Sequence, residues 1–109
     1  MSTQVERRLA AVLAADVVGY THLMRADEEG TFAHLRADRI EIIEPKIAAH
    51  RGRIVKLMGD GWLVEFASVV DAVRCATEIQ TAMAAHNAGV PEEERIVLRI
   101  GINLGDVIV

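Results

Sequence analysis

Arg53-Ile54-Val55-Lys56-Leu57-Met58-Gly59-Asp60-Gly61-Trp62-Leu63-Val64-Glu65-Phe66 is the stretch on which the reading of the fold turns. Two short apolar segments, Arg53–Met58 and Trp62–Phe66, flank Gly59-Asp60-Gly61, and strands joined by so short a Gly/Asp turn form a β-hairpin. On its N-terminal side, residues 27–50 read as helix. Asp27 is the expected N-cap, Glu28 and Glu29 fill the first turn, and Phe32, Leu35, Ile40, Ile43 and Ile47 recur at helical spacing. Pro45 is expected to kink that helix or to start a new turn, and Gly52 ends it. Further back, Arg7–Val18 is a near-continuous apolar run closed by Gly19, which suits a strand buried on both faces, although periodicity alone leaves a buried helix open.

On the C-terminal side, Ser68-Val69-Val70-Asp71 has the form of a capping box, with Asp in place of Glu or Gln. Val69, Val73, Ala76, Ile79 and Met83 then form a helical stripe that ends near Asn87-Ala88-Gly89, with Pro91 beyond. Ile96–Asn103 is the last clear strand, and a turn at Gly105-Asp106 is expected to lead into a further strand at residues 107–109. The order β-α-β-β-α-β predicts an α+β, ferredoxin-like (split βαβ) antiparallel sheet with helices on one face. In that arrangement the first strand is taken as central, with the first strand of the hairpin beside it.

At 109 residues the chain is one domain, with a polar tail at residues 1–6. Twelve Lys and Arg against sixteen Asp and Glu give a net charge of −4, which argues against a nucleic-acid binder with a basic face. The longest apolar run, Leu9–Ala15, is far too short for a membrane span, and no secretory signal opens the chain. Cys75 is the only cysteine, so neither an internal disulfide nor a cysteine-based zinc site is available, and a cytoplasmic setting is expected. His22, His34, His50 and His86 show no metal-ligand spacing. The sequence stops within an apolar, strand-like run, as expected of a domain cut short. An apolar second sheet face would call for a second subunit, hence a homodimer.

Several residues have chemistry beyond packing. Asp16 ends the first strand and Asp60 sits at the hairpin tip, so the sheet could bring the two carboxylates together. Two carboxylates with a backbone carbonyl suit magnesium, which takes oxygen ligands; each Asp alone also reads as a turn or capping residue. Gly19-Tyr20-Thr21 could form a tight turn into a helix N-terminus, where free amides attract anions, or a plain strand-to-helix connection. Lys56, on the face assigned to Ile54 and Met58, must reach water or an acceptor, or else protect a sheet edge. Arg99 shares a strand face with Gly101 and Asn103, opposite Leu98, Ile100 and Ile102. That face reads either as solvated or as a phosphate-binding surface with room for approach.

Taken together, Asp16-Val-Val-Gly-Tyr-Thr21, Lys56-Leu-Met-Gly-Asp-Gly-Trp-Leu-Val-Glu-Phe66 and Leu98-Arg-Ile-Gly-Ile-Asn-Leu-Gly-Asp106 resemble the catalytic domain of class III adenylate/guanylate cyclases. The likeness runs from about Arg7 to Val109, as a C-terminally truncated nucleotidyl cyclase domain. It implies that Asp16 and Asp60, with the Val17 carbonyl, hold two divalent cations, Mg2+ or Mn2+. It implies that Val18, Gly19, Tyr20 and Thr21 cradle phosphates and that Arg99 binds the triphosphate. Lys56 falls at the purine-selecting position, favouring ATP over GTP, and would serve a nucleotide held by the partner of a homodimer. The implied reaction is attack of the ribose 3′ oxygen on the α-phosphorus, giving cyclic AMP and pyrophosphate. Asn103-Leu104 departs from the family's His-Ser, at a position that is not a metal ligand. The family's second purine-selecting residue and its Asn/Arg pair have no counterpart up to Val109, so the 109 residues alone are expected to be nearly inactive. The competing expectation is a non-catalytic cyclase-homology module for dimerisation or nucleotide sensing.

Overall fold

The computed structural model describes the backbone of residues 7–108 and the side chains between residues 8 and 106. The polar tail expected at residues 1–6 lies outside the described residues. Four strands, β1 (Arg7–Val17), β2 (Arg53–Met58), β3 (Gly61–Phe66) and β4 (Leu98–Ile108), form one antiparallel sheet in the order β2-β3-β1-β4. Between them run α1 (Tyr20–Ala26), α2 (Glu28–Asp38), α3 (Glu44–Ala49) and α4 (Val69–Asn87), with a π turn at Arg39–Ile43 and a 3-10 turn at Glu92–Glu94. This is the split βαβ arrangement expected from the hairpin.

One placement differs. The strand beside β1 is the second strand of the hairpin, β3, and the first strand, β2, lies at the sheet edge. The side chains explain the choice. Trp62, Val64 and Phe66 of β3 are all buried against the helices, whereas most of β2 is exposed. Bringing two large rings into the middle of the sheet removes far more apolar surface from water than centring β2 would.

The helix-facing side of the sheet carries Ala11, Leu13, Ala15 and Val17 of β1, with Leu98 of β4. Leu23, Leu35, Ile43, Ile47, Ala72, Cys75, Ile79 and Met83 from the helical segments close over them. Two expected core stripes are corrected here. In the first helical region Phe32 and Ile40 are 62% and 47% exposed, and only Leu35, Ile43 and Ile47 reach the core. The π turn before Pro45 accounts for part of this. Pro45 has no N–H and crowds the preceding carbonyls, and the amide of Glu44 reaches back five residues to the Arg39 carbonyl. That wider turn resets the helical phase. In α4 the buried stripe is Ala72, Cys75, Ile79 and Met83, while Val69 and Val73 face solvent. Burial pushes the Cys75 thiol up to about 11, so it is a packed, unreactive group.

The capping signals behave as read. The Asp27 carboxylate accepts from the Gly30 amide at 3.0 Å, and Ser68 Oγ accepts from the Asp71 amide at 3.1 Å. No turn forms at Gly105-Asp106. β4 runs straight on, with Gly105 opposite Ala10 and Asp106 opposite Leu9, because the long β1 continues to offer it ladder partners. Among the described residues, no helix lies on the other face of the sheet. Its polar fixture is Glu65, whose side chain is 6% exposed and is held by Arg53 and Arg8 at 2.7 and 2.9 Å. The hydrogen bond from Arg53 and the charges of both guanidinia keep the Glu65 carboxyl below its ordinary range.

Candidate functional site at the open end of the sheet

The hairpin register sets the site. Gly61 lies opposite Asp16, and the Val17 amide donates to the Asp60 carbonyl at 2.9 Å. A Cβ on Gly61 would stand 2.6 Å from the Ala15 carbonyl oxygen, so only glycine lets the turn come this close to β1. Asp60 is thereby fastened by its backbone beside the strand end that carries Asp16, and its side chain makes no hydrogen bond or ion pair among the described residues.

Arg99 enters from the other flank. It is the cross-strand partner of Asp16, and its Nε and Nη2 each donate to one oxygen of the Asp16 carboxylate at 3.1 Å. This fork-to-fork pair is exposed and raises the guanidinium pKa further above its ordinary value. The expected division of β4 holds: Leu98 is buried, Ile100 and Ile102 pack against the core, and Arg99 and Asn103 are exposed on the open side. A Cβ on Gly101 would meet nothing within 4 Å, so the surface beside Arg99 is free for approach.

The turn after β1 is tight. Gly19 has φ +66° and ψ +29°, the left-handed conformation that glycine accepts without cost, and α1 starts at the next residue. Within this turn the Val18 amide is already committed to the Val97 carbonyl at 2.8 Å, so Val18 has no amide to offer an anion. The remaining amides of the segment are those of Gly19, Tyr20 and Thr21. Tyr20 is partly buried against the core.

Lys56 is exposed in β2, opposite Leu63. A bulge at Val55 interrupts the alternation: Ile54 pairs with the buried Val64, whereas Lys56 pairs with Leu63 on the open face. Lys56 therefore shares a face with Met58, as expected, and faces away from Ile54, contrary to expectation. Asp16, Arg99 and Lys56 all belong to the uncovered face, with Lys56 two strands away from Asp16 and forming no ion pair among the described residues.

The sheet carries Asp16, Asp60 and Arg99 at one end of an α+β domain, and the fold is that of a nucleotidyl cyclase. The chain belongs to the adenylate and guanylate cyclase catalytic domain family, which it matches over residues 4–109. It is 54% identical over 105 residues to the Rhizobium meliloti protein "Putative adenylate cyclase 3", covering 96% of this chain and 18% of that protein. Against "Adenylate cyclase" of Streptomyces coelicolor it is 37% identical, covering 94% of this chain and 25% of that protein. Among solved structures, the adenylate/guanylate cyclase/hydrolase of Silicibacter pomeroyi superposes with a TM-score of 0.88 at 46% identity, over 97% of this chain and 62% of that one. The guanylyl cyclase Cya2 superposes with a TM-score of 0.82 at 28% identity, over 97% and 58%. The chain thus spans 18% and 25% of the two curated relatives, and about three-fifths of the solved ones. No helix among the described residues is long and apolar enough to cross a membrane.

Proposed function

We propose that this chain supplies the metal- and phosphate-binding half of an adenylate cyclase site, converting ATP to 3′,5′-cyclic AMP and pyrophosphate in intracellular signalling. The observation that carries the reading is the junction of Asp16, Asp60 and Arg99, fixed by the 2.9 Å bond from the Val17 amide to the Asp60 carbonyl. Two carboxylates beside a backbone carbonyl are hard oxygen donors of the kind Mg2+ and Mn2+ take. In this conformation the Arg99 guanidinium already provides Asp16 with a positive partner. Asp16 and Asp60, with the Val17 carbonyl, would hold the two cations, which when bound lower the pKa of the attacking hydroxyl and neutralise triphosphate charge. Arg99, long and exposed, would exchange Asp16 for a phosphate oxygen, and the Gly19–Thr21 amides would orient the same group.

Lys56 would serve a nucleotide held across a homodimer, donating to a ring nitrogen of adenine. The uncovered sheet face and the wide separation of Lys56 from Asp16 support that division of labour. Incubated with ATP and Mn2+, a polypeptide spanning the whole domain of the relatives is expected to form cyclic AMP and pyrophosphate in equal amounts. A folded protein that forms neither would overturn the reading. Because the relatives extend beyond the region matched here, the 109 residues alone are proposed to turn over far more slowly.

The base preference has its own test. Lys56→Glu is expected to lower the ATP/GTP ratio of kcat/KM by at least about tenfold, since a donor becomes an acceptor. Mixing Lys56→Glu and Asp60→Ala protomers should then restore part of the lost turnover, because one of the two shared sites receives both intact residues. A second reading is a non-catalytic dimerisation or nucleotide-sensing module. The Asp16–Arg99 pair favours it to the extent that it occupies a carboxylate the chemistry needs.

A further inference from the structure

On the helical side of the molecule, away from the face just described, α2 and α4 bring His34, Asp38 and His86 together. One nitrogen or oxygen from each lies within 4.8 Å of the others. His34 and Asp38 are one turn apart on α2, and His86 comes from the last turn of α4. His86 Nε2 stands 3.1 Å from Asp38 Oδ1, and His34 Nε2 stands 3.8 Å from Asp38 Oδ2. The rings meet edge-on with centroids 5.8 Å apart.

The carboxylate is the anomaly. The Asp38 side chain is only 3% exposed, and its Oδ2 has no hydrogen-bond partner among the described residues. Burying an unsatisfied carboxylate oxygen is costly, and such groups are normally paired or bound to a metal. Here burial raises the Asp38 pKa, as does Glu41, while the two histidines pull it down without compensating in full. Neither imidazole hydrogen-bonds to the orphaned oxygen, since 3.8 Å is too long.

We propose that His34, Asp38 and His86 form a binding site for a zinc-class divalent transition metal that clamps α2 to α4. This site is independent of the cyclase reading. Two imidazole nitrogens and one carboxylate oxygen suit Zn2+, Co2+ or Ni2+, and exclude Mg2+ as the preferred ion because it takes oxygen ligands. Tetrahedral coordination at metal–ligand bonds of about 2.0–2.1 Å needs ligand atoms about 3.3 Å apart. Asp38 is fixed by burial, and the partly exposed imidazoles can rotate to close the remaining gap. A cavity beside His34, lined also by Asp27, Glu93 and Glu94, leaves room for water or a fourth oxygen donor.

The test is a titration of tag-free protein with Co2+ in excess Mg2+, followed by its visible absorption and by displacement with Zn2+. One Co2+ per chain with bands of nitrogen ligation is expected, together with a rise in thermal midpoint of roughly 10 °C at a hundredfold excess over Kd. His86→Ala and His34→Ala should each weaken binding at least about tenfold. Both act on partly exposed rings, and unchanged thermal midpoints in chelator will show that the fold survives. An Asp16→Asn/Asp60→Asn double variant should bind as tightly as the parent protein. Absence of nitrogen-ligated bands, equal affinity in both histidine variants, or loss of binding in the double variant would each overturn the site and leave the cluster as a buried ion pair.

Discussion

Asp60→Ala is expected to abolish Mg2+- or Mn2+-dependent cyclisation, lowering kcat by at least about 10³-fold in a domain-length protein, while leaving the fold nearly intact. The two effects separate because Asp60 acts on structure through its backbone and would act on chemistry through its side chain. The carbonyl that accepts the Val17 amide at 2.9 Å survives the substitution. The carboxylate that disappears has no hydrogen bond or ion pair among the described residues, and a turn aspartate replaced by alanine costs little on its own account. Circular dichroism and a thermal midpoint within a few degrees of the parent would establish that the protein is folded. Turnover of ATP at the parent rate would then remove Asp60 from the site and with it the two-cation reading.

Gly61→Ala should do the reverse, damaging fold and activity together. The new methyl would stand 2.6 Å from the Ala15 carbonyl, a backbone atom that cannot rotate away. Either β3 retreats from β1 or the ladder between them deforms. The cost belongs at the upper end of overpacking effects, roughly 3 kcal/mol, and a domain of this size then melts roughly 10–20 °C lower. Any displacement of β3 also carries Asp60 away from Asp16, so residual activity should fall even below the new midpoint. Urea unfolding measures the first effect and a cyclase assay the second. Gly101→Ala is the matched control in an open position, where a Cβ meets nothing within 4 Å. Equal stability of the two variants would show that β3 does not approach β1 as closely as the register requires.

The extent to which the sequence disclosed this arrangement varies by element, for physical reasons. Gly59-Asp60-Gly61 between two apolar runs marks a hairpin by local chemistry alone, and the alternation of helix and strand around it then dictates a split βαβ sheet. Which hairpin strand lies inside is not a local property. Both mix apolar and charged residues, and the outcome rests on the volume of Trp62 and Phe66 set against the whole helical layer. The phase of α4 was similarly ambiguous, because Val69 and Val73 repeat as regularly as Ala72, Cys75, Ile79 and Met83. The smaller residues face inwards where the helix crosses the sheet.

At the candidate site, Asp16, Asp60 and Arg99 were legible because each ends or faces away from an apolar pattern. The topology sets the Asp60 backbone beside the strand end of Asp16 and makes Arg99 its cross-strand partner. The engagement of Arg99 with Asp16, and the commitment of the Val18 amide to Val97, depend on inter-strand register that no local pattern encodes. The His34–Asp38–His86 cluster escaped notice for the same reason. His34 and Asp38 share a helical face at i and i+4, a signal that spacing could have shown, whereas His86 arrives only through the packing of α4 on α2.

The extra residue at Val55 makes the orientation of β2 a question of odd and even. Were Val55 instead to take a regular place opposite Leu63, every side chain from there to Gly59 would trade sides. The ammonium would then turn towards the rings of Trp62 and Phe66, and Leu57 towards water. On the role proposed for Lys56, a change of base preference would accordingly require the bulge to be kept as well as a new side chain, since a residue delivered to the wrong side would have nothing to read.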